Sequence, residues 1–79
     1  DQVSFDFNCD AITSAELIIM NPQGKTILRS GTINTTPGNN TYHWDGKTNS
    51  GQAVPAGVYI YQLKLNDRII TGRIVKTMN

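Results

Sequence analysis

Two strand-like runs, Val58 to Leu65 and Arg68 to Lys76, are separated only by Asn66-Asp67. A two-residue connection made of residues that tolerate positive φ closes a tight hairpin and dictates every pairing on either side of it. Leu65 then stands opposite Arg68, Leu63 opposite Ile70, Tyr61 opposite Gly72 and Tyr59 opposite Ile74, all on one face. Lys64 with Ile69, Gln62 with Thr71 and Ile60 with Arg73 occupy the other face. The first set is the more apolar, so this hairpin has a core side and a wetter side. Gly72 leaves a gap on its strand across which the Tyr61 ring can lie.

The remaining segments carry the same period. Val3, Phe5 and Phe7 alternate with Ser4, Asp6 and Asn8, which places the aromatic rings on one side of a first strand. Ala15 to Met20 reads as a second strand. Asn21-Pro22-Gln23-Gly24 follows it with Pro and Gly where a turn requires them, and returns the chain through Thr26 to Arg29. Ser30 to Asn40 is polar and rich in turn formers, so it is expected to run over the surface. Thr41 to Trp44 regains strand character, and Asp45 to Gly57 is the longest irregular segment. No window spaces its apolar residues as a helix face does. The expectation is an all-β chain of about seven short antiparallel strands, arranged as a small sandwich whose two sheets cover each other's apolar faces.

Length and charge narrow what such a fold can do. The 79 residues make one domain, spanning 1–79, and leave little material to enclose a deep catalytic pocket. A net charge of +1 provides no field for binding nucleic acid or an anionic membrane surface. Apolar runs such as Leu17 to Met20 fall far short of the roughly 20 residues of a membrane-spanning helix, so direct membrane insertion is not expected. The one cysteine, Cys9, cannot close an internal disulfide or supply a zinc ligand set. No cofactor is expected. A start at Asp1 in place of an initiator Met suggests a module excised from a longer protein.

From Trp44 onward the sequence resembles a known family. Trp44-Asp45-Gly46, Asn49-Ser50-Gly51 and Val54-Pro55-Ala56-Gly57-Val58-Tyr59-Ile60-Tyr61 look like the signature of the immunoglobulin-like domains that end many secreted proteins of the Bacteroidetes, the type IX secretion C-terminal sorting domains. The pattern is also similar to the immunoglobulin-like domain of the flagellar hook-capping protein, and gliding-associated C-terminal domains carry a close variant. Leu17 to Lys25 resembles the earlier hairpin of these families, and the likeness spans about residues 15 to 76. Physically, Trp44, Asp45, Gly46, Gly51, Pro55, Gly57, Tyr59 and Tyr61 read as a folding signature. Trp44 anchors a core, Asp45 accepts from backbone amides, the glycines permit unusual backbone angles, and Pro55 stiffens the approach to a strand.

Sharper chemical readings are weaker. Cys9 and His43 could form a nucleophile and base, but no orienting group or oxyanion motif accompanies them, so catalysis is not expected. Cys9 reads as a small residue near a strand end, with pairing to another chain left open. Asp6, Asp10, Asp45 and Asp67 are too scattered for a calcium loop. The sequons at Asn34 and Asn39 fit an exposed loop. Arg68, Arg73 and Lys76 tint the last strand basic, either to meet acidic partners or to guard an edge against aggregation. Tyr42, Tyr59 and Tyr61 could present rings to a sugar, although the register turns Tyr59 and Tyr61 inward.

The resemblance implies a non-catalytic C-terminal signal for export by the type IX system and attachment at the cell surface, reached through the periplasm and outer membrane. Its partners would be translocon and surface-attachment proteins and an anionic lipopolysaccharide, with removal by a sortase-like peptidase in some members. Gly72, Arg73, Ile74, Val75 and Lys76, on the last strand, are the residues expected to be read, and the same strand could pair with a second copy to make a dimer. The alternative is a retained structural or adhesive module binding a surface glycan or a neighbouring subunit, hook assembly included.

Overall fold

The structure is a computed structural model that describes residues 3–66 and 68–77. Seven strands make up the described chain: β1 (Val3–Cys9), β2 (Ser14–Met20), β3 (Thr26–Arg29), β4 (Ile33–Asn34), β5 (Gly38–Trp44), β6 (Gly57–Lys64) and β7 (Ile69–Lys76). All pairings are antiparallel. β1 and β5 form a two-stranded sheet, and the other five form a sheet ordered β3-β2-β6-β7, with β4 also paired to β2. The all-β sandwich expected from the sequence is the fold observed.

The core is the space between these sheets. Phe5, Phe7 and Cys9 from β1, Ala15, Leu17 and Ile19 from β2, Trp44 from β5, and Tyr59 and Leu63 from β6 are buried together. The period-two reading explains most of this list, because alternate residues of a strand share a face. Ile18 breaks the alternation: it is buried although it points away from that cluster, beneath its cross-strand neighbours Arg29 and Gln62. Trp44 is 1% exposed, and burying so large a ring stabilises the fold by a few kcal/mol at about 25 cal/mol per Å².

Turn chemistry sets the β2–β3 connection as expected, whereas the last hairpin keeps its expected register without the positive φ that Asn66 was expected to supply. Between β2 and β3, Gly24 has φ of 89° and donates its N–H to Asn21 O at 2.9 Å. Asn21 Oδ1 accepts from the N–H groups of Gln23 and Lys25, so one side chain supports the whole turn. In the last hairpin every expected partner is found, from Lys64 with Ile69 to Tyr59 with Ile74. Leu65 N donates to Arg68 O at 2.8 Å and closes the loop. Asp67, one of its two turn residues, lies outside the described residues, as do Asp1, Gln2, Met78 and Asn79.

The segment from Ser30 to Asn40 runs largely over the surface as expected, but it contains β4, β5 already begins at Gly38, and one residue in it is buried. β3 and β4 share one side of β2, bridged where Ser30 N donates to Leu17 O and Leu17 N donates to Ser30 Oγ, both at 2.9 Å. Thr35 is 1% exposed. Its hydroxyl accepts from Thr13 N at 3.0 Å and donates to Ala11 O at 3.3 Å, which ties the β1–β2 connection to the β4–β5 connection. A polar composition signals surface only when the polar groups need water, and here the backbone satisfies them.

Candidate interaction surface

The signature residues assemble at one end of the sandwich around the turn of 45–57. Asp45 Oδ1 accepts from Lys47 N at 3.1 Å, and Trp44 Nε1 donates to Lys47 O at 2.9 Å. Val54 N donates to Gly46 O at 3.0 Å, and Lys47 bridges to Ala53. Gly51 donates to Thr48 O at 3.0 Å with φ of 90°, a backbone angle that a side chain would oppose. Gly46 and Gly57 also have positive φ. Tyr59, near the start of β6, donates its hydroxyl to Pro55 O at 2.6 Å, and its ring meets Trp44 edge-on at 6.1 Å. A tyrosine hydroxyl returned to the backbone a few residues upstream is a fastening found at strand corners of immunoglobulin-like sandwiches. These contacts commit the Trp44 indole, the Asp45 carboxylate and the Tyr59 hydroxyl to folding.

This turn also closes one edge of the large sheet. Asn49 Oδ1 accepts from Arg29 N at 2.8 Å, and Asn49 Nδ2 donates to Arg29 O at 2.9 Å. The side-chain amide thereby stands in for a neighbouring strand at the end of β3. Sequence reading assigned Asn49 only to the motif, and its partner is distant in the chain, so local pattern offered no signal for it.

The opposite edge is β7, which carries Gly72, Arg73, Ile74, Val75 and Lys76 and pairs only with β6 among the described strands. Ile69 and Val75 are 59% and 67% exposed, and both lie on the outer face. Tyr61 covers Gly72 and meets Phe5 edge-on at 5.1 Å. Arg68 Nη2 donates to Asn8 O at 2.8 Å and ties the hairpin loop to the end of β1. Between β1 and β7 lies a groove of about 200 Å³, walled by the apolar side chains of Phe5, Phe7, Tyr61, Leu63, Ile70 and Ile74 and by the polar Ser4, Asp6 and Arg73.

The other candidates separate in space. Cys9 is buried and pairs with Gly38, whereas His43 is exposed, pairs with Ser4 and shares a 3.0 Å hydrogen bond with the Ser4 hydroxyl. Thiol and imidazole therefore sit on opposite faces of the small sheet. Asp6 accepts from the Thr41 hydroxyl at 2.7 Å, and Asp10 and Asp45 lie on other connections. Asp67 lies outside the described residues. Asn34 and Asn39 are exposed. Tyr42 is half-buried beside the core, and its phenol is raised above its ordinary range by burial and then by the Asp45 carboxylate. The three tyrosines thus form no outward platform.

Comparison with known proteins gives the fold a lineage. No curated protein matches the chain. Among solved structures, FlgD from P. aeruginosa is similar with a TM-score of 0.69 and 19% identity, over 96% of this chain and 60% of that one. The chain thus spans about 60% of the length of that structure, and at this identity the likeness is one of fold. The FlgD Ig-like domain family matches residues 1–68, ending just before β7. By that match, the chain belongs to the FlgD Ig-like domain family.

Proposed function

We propose that this chain is a non-catalytic immunoglobulin-like module of a flagellar hook-capping type of protein, where it contacts a neighbouring subunit during assembly. The observation that carries this reading is the family match over residues 1–68, supported by the shared fold with FlgD. The placement of Cys9 and His43 on opposite faces, and the use of the Trp44 to Tyr61 motif for internal hydrogen bonds, agree with a role without catalysis.

A second reading keeps the domain as a type IX sorting signal, read at residues 72–76 by translocon and attachment proteins and delivered to an anionic lipopolysaccharide at the cell surface. The open edge of β7 favours it, since an exposed strand is readable through its backbone. One experiment separates the two. Deleting this domain from its parent protein in the native cell should abolish hook formation and motility, with export otherwise unchanged, if the module serves assembly. Normal hooks together with a parent protein trapped in the periplasm would overturn that reading in favour of sorting.

A further inference from the structure

The two edges of the large sheet are treated differently. β3 is four residues long, its register shifts beside Ile19 and Met20, and Asn49 occupies its end. β7 is eight residues long and runs in unbroken register with β6. Because Leu65 N donates to Arg68 O, the alternation of an antiparallel ladder turns the backbone groups of Ile70, Gly72 and Ile74 toward β6. The N–H and C=O groups of Ile69, Thr71, Arg73 and Val75 then point away from the sheet, where no described strand meets them.

The side chains beside that edge specify what fits it. A strand added to β7 would turn alternate residues toward Ile70 and Ile74 and into the groove, where Phe5 and Phe7 belong to its apolar part. The intervening residues would share the outer face with Ile69, Thr71, Arg73 and Val75. Arg68, Arg73 and Lys76 make the edge basic, and these three cations outnumber the one carboxylate on the groove wall, Asp6. A second copy is the wrong partner. Two copies related by a two-fold axis pair same-face positions, and two registers keep nearly all of β7 paired. One sets Arg73 against Arg73, and the other sets Arg68 against Lys76 at both ends.

We propose that the open edge of β7 takes, as an added strand, an extended segment of a partner protein in which apolar side chains alternate with acidic ones. The apolar residues fill the groove between β1 and β7, and the acidic ones meet Arg73 on the outer face. The proposal rests on the reading of the chain as a binding module and needs no flagellar role.

The test is an amide NMR titration of the domain with a capped peptide of about eight residues, the length of a long strand, alternating valine and glutamate. Perturbations should centre on residues 69 to 75 with Phe5 and Phe7, and a valine–lysine peptide should bind worse. Thr71→Pro, which removes an outward N–H and spares the bonds to β6, should weaken binding by at least about tenfold. Arg73→Glu, on the exposed face, should reverse the preference toward the lysine peptide and serves as the decisive variant if Thr71→Pro unfolds. No perturbation, perturbation centred on β3, equal binding of both peptides, or a β7-mediated homodimer that excludes the peptide would overturn the proposal. Domain deletion reads the assembly role separately, so the two ideas can fail independently.

Discussion

A Cβ placed on Gly72 would lie 2.7 Å from the Tyr61 ring, which spans the neighbouring strand and rests edge-on against Phe5. Glycine is needed here for space, since its backbone is that of an ordinary strand. Gly72→Ala should push the ring off Phe5 at a cost of about 1–3 kcal/mol, more than the roughly 0.5–1 kcal/mol regained by removing a glycine from a strand. Urea unfolding should show a net loss, and Tyr61→Leu in the same chain should make the alanine harmless. A stable Gly72→Ala single variant would refute this account.

Thr35→Val keeps the shape of a buried side chain and deletes its hydroxyl. Thr13 N and Ala11 O each lose a partner, and the expected cost is about 1–3 kcal/mol in chemical denaturation. Thr36→Val, at an exposed neighbour, provides the control and should change stability little.

Asn49→Ala should release the end of β3. Both hydrogen bonds to Arg29 disappear, and because that backbone then meets water the expected loss is only about 1 kcal/mol. The clearer readout is hydrogen exchange, where the Arg29 amide should exchange faster while the Ile19 amide, inside β2, stays protected.

Tyr42 links pH to stability at alkaline pH. Burial, and then the Asp45 carboxylate, raise its phenol in the folded state above the ordinary value of 10.0. A raised folded-state pKa means that the folded protein holds the proton more tightly, so this contribution is complete below pH 10.0 and is lost as pH rises through the folded value. Phenolate absorbance should show a late component from Tyr42, and Tyr42→Phe should remove it and flatten stability across that window.

Much of this protein is legible locally. The Asn66-Asp67 connection forces the β6–β7 pairing, since a two-residue loop admits one register and the alternating side chains then decide which face is buried. Asn21-Pro22-Gln23-Gly24 specifies its turn through residues that act on their own backbone. The departures have a common source. Thr35 sits in a polar stretch yet is buried because Thr13 and Ala11, far away in the chain, supply its partners. Ile18 is buried on the outer face beneath neighbours from other strands. Asn49 closes one sheet edge because the 45–57 turn folds back over β3, and no counterpart reaches β7 among the described residues. Strand period, turn type and hairpin register follow from the amino-acid sequence itself, because they depend on residues a few positions apart. Which polar groups are buried, and which edge is left open to a partner, was settled only when distant segments came together, since a hydrogen bond or a covered edge requires both sides to be present.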